Sequence, residues 1–333
     1  MLTAGNMKDF FKLIRWPNLL IVALTMLAMR YAIIGPLLAR TEVVLRESHG
    51  YPMSMMLQLP WQDFLVLVLA TVSITAAGYV INDYFDIKTD LVNKGRVIVG
   101  TAVPRRRALM FHNILNILGV ASGFYVSWRI GYPLAGVMFL LVTGLFYFYS
   151  ASYKRQFLLG NILVAFLTAT LPLLVLFYEW AALYNFYSVH AADIPSLRVI
   201  LWWICGFSLF AFLTTLAREI IKDIEDFKGD SVFGRNTLPV VLGVKTSVNI
   251  SVSLTALILI MLWLVWYFFV RDVITLVYIS VFLALPLGGI MFLLKRGRDT
   301  GDYHKASTMM KLVMLGGLLY SVVARVIMTY NLY

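Results

Sequence analysis

Nine stretches of this chain, roughly residues 18–38, 61–82, 108–128, 133–149, 160–180, 199–217, 246–269, 273–294 and 307–329, are apolar and long enough to cross a bilayer as helices. A helix rises about 1.5 Å per residue and the hydrocarbon is about 30 Å thick, so about twenty residues suffice for one crossing. Composition agrees: 61% of the 333 residues are hydrophobic and 14% are charged, against about 25% charged in ordinary soluble domains. So few polar residues are too few to cover a soluble core of this size. The fold class expected is therefore all-α integral membrane, with nine transmembrane helices. No Ser/Gly/Pro-rich linker or low-complexity tract divides the sequence, which reads as a single polytopic domain over 1–333. The first apolar run follows a basic start without a small-residue cleavage site and is read as a retained span.

Cytoplasmic loops carry an excess of Lys and Arg. The N-terminus and the loops after spans two, four, six and eight hold 20 of the 28 basic residues, and the other side holds five: Arg40, Arg46, Arg129, Arg198 and Arg271. The expectation is a protein of the cell (inner) membrane, N-terminus cytoplasmic and C-terminus external. The net charge of +11 sits in short loops flanking spans, where topology and anionic lipid headgroups account for it and nucleic acid need not. Residues 8–16, KDFFKLIRW, suit an interfacial helix or a basic flank. The external loops read as connectors. Cys205, the single cysteine, lies inside span six and reads as a small apolar filler. His49, His112, His190 and His304 are scattered without zinc or di-iron spacing.

Chemistry concentrates at the inner ends of spans two and six. Residues 83–90 spell D-x-x-D-x-x-x-D, and residues 223–230, DIEDFKGD, repeat the pattern 140 positions later. Four spans separate the copies, so both fall on the same, cytoplasmic face. At about 100° per residue, positions i, i+3 and i+7 lie within about 60° of each other, so each trio shares one helix face. The trios are Asp83, Asp86, Asp90 and Asp223, Asp226, Asp230; Glu219 joins the second one turn earlier, and Glu225 points away toward solvent. Three penalties oppose such stripes: carboxylates are costly near the membrane core, like charges one turn apart repel, and a helix C-terminus is the negative end of its dipole. Either raised pKa values or polyvalent cations relieve them. The spacing favours cations: Mg²⁺ prefers one or two carboxylates with waters and substrate phosphates, so facing stripes suit a metal-bridged diphosphate.

The run NDYFDIKTDLVN, 82–93, resembles the first aspartate motif of the UbiA superfamily of intramembrane prenyltransferases, and KDIEDFKGD with the following NTLPVVLG resembles the second. The segment YSASYKRQFLLGN, 149–161, and the nine-span layout extend the likeness over nearly the whole chain. One departure stands out: the family often has N-x-P-x-R-P where this chain reads Asn93-Lys94-Gly95-Arg96-Val97, without either proline.

The resemblance implies two groups of four spans plus a ninth, enclosing a central apolar cavity with a cytoplasmic polar mouth. The motif loops are 82–107, 149–161 and 218–243. It also implies Mg²⁺ held by the six aspartates on the diphosphate of a polyprenyl donor, whose allylic C–O bond breaks toward a carbocation that an acceptor traps. Lys154 is the first candidate for a clamp on the phosphates, followed by Lys222, Arg218, Lys94 and Arg96. Asn82 borders its trio as Lys222 borders the other, and Tyr149, Asn93 and Asn161 are placed to orient substrate or cap helices. The run AREIIKDIEDFKGD most resembles members that prenylate geranylgeranylglyceryl phosphate. Members acting on aromatic acceptors, 4-hydroxybenzoate or dihydroxynaphthoate in quinone biosynthesis, share much of the pattern. A rival of another class is an ion-coupled transporter, which would favour acids at mid-span. A phosphatidyl-alcohol transferase would need D-G-x-x-A-R, which the sequence lacks. Aromatic belts and the Gly119-x-x-x-Gly123 pair read first as interfacial anchoring and helix packing.

Overall fold

The structure, a computed structural model, describes residues 4–47, 50–94, 97–297 and 299–330. Among these, nine helices are long and apolar enough to span a membrane: Trp16–Ala39, Trp61–Phe85, Arg105–Arg129, Pro133–Ala151, Leu159–His190, Arg198–Glu225, Val244–Val270, Val273–Arg296 and Thr300–Tyr330. They are called spans one to nine. Their number is that expected, but span five runs ten residues past its apolar stretch, to His190, and span six continues to Glu225, carrying the second acidic motif into its last turn. A shorter helix, Ala4–Leu13, precedes span one. The loop between spans one and two, expected to be a plain connector, folds as an antiparallel hairpin of β1, Glu42–Val44, and β2, Pro52–Ser54.

Three spans contain π-helical stretches that apolar periodicity does not register: Met29–Ile34, Trp266–Val270 and Ile279–Ala284. The first and third each end two positions before a proline, Pro36 and Pro286. Proline has no N–H to give the preceding turn and its ring crowds the carbonyl four residues back, so an inserted residue takes up the mismatch. The first stretch holds Arg30, buried at 2% exposure.

The chain packs as two compact units. The first comprises Met1–Met26, Gln58–Gln156 and Tyr178–Phe186. In it, small residues let spans two, three and four approach closely. A side chain added at Gly119 would collide with Ile74, and one at Gly123 with the ring of Phe139. Leu13 and Ile14, at the end of the N-terminal helix, are buried in a cluster with Ala76 and Val80 of span two and Val99 and Val103 of the following loop. At the other end of span two, Glu179 Oε1 accepts from the backbone N–H of Gln58 at 2.6 Å and of Leu59 at 3.1 Å. Arg129 approaches Asp63 at 3.3 Å.

The second unit comprises Leu27–Leu57, Phe157–Phe177 and Tyr187–Tyr333. Its core includes Ile221, Leu287, Ile290, Met310 and Val313, all almost fully buried. Gly317 lies against the ring of Phe210, and the Tyr278 hydroxyl donates to the Gly316 carbonyl at 2.7 Å. Ser247, Ser251 and Thr255 donate to the carbonyls four residues back, so span seven buries three hydroxyls without orphaning them. Cys205, expected to fill a gap, is exposed.

Candidate active site

Both acidic motifs lie where a membrane helix stops, and both stop the same way. Span two ends at Phe85 with Asp86 at φ −92°, ψ 3°, and a short helix, Ile87–Lys94, follows. Span six ends at Glu225 with Asp226 at φ −87°, ψ 4°, and Phe227–Val232 follows. The middle aspartate of each trio is thus a joint in the sparsely populated bridge region. Each trio was expected on one helix face; in both motifs the helix is interrupted at the middle aspartate. Hydrogen bonding nevertheless continues across the joint: Asp86 N–H donates to Asn82 and Asp90 N–H to Asp86, as Asp226 N–H does to Lys222 and Asp230 N–H to Asp226, all within 3.1 Å. The joint therefore leaves these backbone N–H groups paired.

In the first unit the motif is met by cations. Arg15 Nη2 lies 2.7 Å from Asp83 Oδ1. Lys154 Nζ lies 2.8 Å from Asp86 Oδ2 and donates to Asn82 Oδ1 at 3.1 Å, with 6% of the lysine side chain exposed. Lys154, expected first as a phosphate clamp, is therefore also a counter-ion to the motif. Burial works against the Arg15 charge, but Asp83, with help from Tyr79 and Asp90, outweighs it, so its pKa is raised above the ordinary arginine value. The Arg15 guanidinium also sits 5.0 Å from the centre of the Tyr79 ring, one turn before Asp83. Tyr149 is half-buried in the last turn of span four.

In the second unit Asn161 Nδ2 donates to Asp223 Oδ2 at 2.8 Å. Asn161 stands in the first turn of span five, which starts from Leu158 in the left-handed region, φ 56°. A bulky residue persists there only where its surroundings hold it, and Leu158 packs against the unit's core. Arg218 and Lys222 both turn to Glu219, at 3.0 and 3.3 Å. Glu219 is thus the anchor of two expected clamp residues. Arg218 Nε is buried with no hydrogen-bond partner among the described residues. Arg235 Nη1 approaches Asp230 Oδ1 at 3.3 Å, and Asp230 is 2% exposed. Glu225, expected in solvent, pairs with His304 at 2.8 Å. The side chains of Asn93 and Lys94, and all of Arg96, lie outside the described residues.

Arg15 and Arg235 are the site residues that sequence reasoning missed. Each fell within the basic excess that topology already explained. The one signal for Arg15 was its place beside Trp16 and Pro17 at the edge of span one.

The donors these motifs offer are carboxylate and amide oxygens, a hard set suited to Mg²⁺ and unsuited to softer metals. Among the described residues no three His, Cys, Asp or Glu side chains converge into one cage. Mg²⁺ does not need one, since it keeps waters and takes phosphate oxygens.

The chain belongs to the UbiA prenyltransferase family, whose pattern matches residues 50–315. It is an integral membrane transferase of prenyl groups, and the transporter alternative falls with that assignment. Digeranylgeranylglyceryl phosphate synthase of Methanosphaera stadtmanae is 31% identical over 244 residues, which is 72% of this chain and 80% of the relative. The fold matches a solved digeranylgeranylglyceryl phosphate synthase structure with a TM-score of 0.61 at 21% identity, over 96% of this chain and 98% of that one. It also matches a UbiA homolog from Archaeoglobus fulgidus bound to DMAPP and Mg²⁺, with a TM-score of 0.54 at 15% identity, over 95% and 99% of the two chains.

Proposed function

We propose that this prenyltransferase moves a geranylgeranyl group from its diphosphate to geranylgeranylglyceryl phosphate, in a Mg²⁺-dependent reaction at the two acidic motifs. The observation that carries the reading is the duplicated motif itself: two trios of aspartates at matching joints, each already engaged by basic or amide side chains. The relative named above supports the choice of acceptor.

Asp83, Asp86, Asp90, Asp223, Asp226 and Asp230 are the oxygen donors that hold the ion, with Asn82 beside them. When bound, Mg²⁺ neutralises charge developing on the diphosphate as the allylic C–O bond breaks. The other roles belong to the chain. Lys154, Arg218, Lys222, Lys94 and Arg96 donate charge-assisted hydrogen bonds to phosphate oxygens, and Tyr149 and Asn93 orient the reactants. Glu219 pairs with both Arg218 and Lys222, and Asn161 fixes the Asp223 carboxylate. A phosphate-bearing acceptor suits an inner face rich in lysine and arginine. The motifs and the N-terminus face the cytoplasm, with prenyl tails reaching an apolar chamber through the lipid.

The test offers purified protein geranylgeranyl diphosphate with geranylgeranylglyceryl phosphate, 4-hydroxybenzoate or dihydroxynaphthoate, and identifies products by mass spectrometry. The digeranylgeranyl ether should form with Mg²⁺ and not with EDTA. Prenylation of an aromatic acid alone would overturn the choice of acceptor.

A further inference from the structure

The N-terminal segment belongs to no motif, yet it delivers a charge to one. Arg15 lies between the helix Ala4–Leu13 and span one, at φ 51°. That left-handed backbone is unfavourable for an arginine and persists only where neighbours over-determine it. Here they do: Leu13 and Ile14 are buried against Ala76 and Val80, the guanidinium lies against the Tyr79 ring, and Nη2 meets Asp83 at 2.7 Å. The strain is spent on placing one cation at one carboxylate.

The two counter-ions of this motif differ in how firmly they are held. Lys154 is fixed by two oxygens, Asp86 Oδ2 and Asn82 Oδ1, with 6% of its side chain exposed. Arg15 makes one carboxylate contact with 34% of its side chain exposed, against 12% for Asp83. A partly hydrated arginine is easily displaced, because water and other anions can take over its donors.

We infer that Arg15 is a displaceable counter-ion: it holds the Asp83 carboxylate aimed while the metal is absent, and competes with Mg²⁺ for that carboxylate until a diphosphate arrives. Arg15 is then a positioning residue acting through Asp83, and the N-terminal helix is coupled to the loading of the site. The inference rests on the Mg²⁺ reading above. Its consequence is that the protein without donor binds divalent ions weakly, with affinity rising when diphosphate supplies new acceptors for the released guanidinium.

Electron paramagnetic resonance of Mn²⁺ with the purified full-length protein in detergent, without prenyl diphosphate, tests this directly. Arg15→Gln should bind Mn²⁺ about five-fold more tightly than wild type, the size of one partly exposed ion pair. Arg15→Lys, which keeps the charge, should return toward wild type. Asp83→Asn should bind more weakly and erase the effect of Arg15→Gln when the two are combined. Equal or weaker Mn²⁺ binding in Arg15→Gln, with a thermal midpoint near wild type, overturns the inference while the metal reading stands. Undiminished Mn²⁺ binding in Asp83→Asn overturns the role of that carboxylate as a ligand, and the inference with it.

Discussion

Lys154 carries 94% of its side chain out of water between an aspartate and an asparagine, and removing it would take this cation from the buried Asp86. Stranding one member of a buried pair costs about 3 to 5 kcal/mol, whereas replacing both members is close to neutral. Lys154→Met should therefore lower the thermal midpoint, and adding Asp86→Asn should recover most of that loss without recovering turnover. Thermal unfolding and product formation on the same preparations check the two halves. Asp83→Ala and Asp226→Ala should abolish turnover with expression intact. Asn161→Ala should lower kcat/KM about ten-fold, the loss of one hydrogen bond to a charged group. At this scale the aspartates were legible because their spacing repeats. Their partners were not: Arg15 lies 68 residues from Asp83 and Lys154 lies 68 residues from Asp86, and a basic residue beside a membrane span already has a sufficient explanation in topology.

Among the elements, all nine spans follow from hydropathy, since hydrocarbon admits only segments that satisfy their own backbone. Their interruptions do not. The joints at Asp86 and Asp226 depend on ψ near zero at one residue each, and the π-helical stretches ahead of Pro36 and Pro286 add a residue to a pattern that still looks helical. Packing is similarly hidden in glycines that look alike in sequence. Gly119 faces Ile74 and the Ala70 carbonyl, whereas a Cβ at Gly288 would meet nothing within 4 Å. Gly119→Leu should therefore lower the thermal midpoint by an overpacking penalty of about 1 to 3 kcal/mol, and Gly288→Ala should leave it unchanged. Unfolding of both variants in one detergent makes the comparison, and equal midpoints would contradict the close approach of spans two and three.

For the whole molecule, composition and nine apolar helices mark a membrane protein, and the one-sided distribution of Lys and Arg gives the orientation expected for it. The orientation is checked in a Cys205→Ala background, which removes the single native thiol. Lys228→Cys should react with an impermeant reagent only from the cytoplasmic side, and Arg271→Cys only from the other. On the proposed function, each of the two aspartate motifs, 140 residues apart in sequence, is needed for metal-dependent binding of the diphosphate. The most direct test is Mn²⁺ binding measured by electron paramagnetic resonance with a non-cleavable geranylgeranyl thiolodiphosphate, in wild type, Asp86→Asn and Asp226→Asn. Loss of diphosphate-dependent Mn²⁺ in both variants is the expected result; full retention in either would contradict that motif's part in holding the metal.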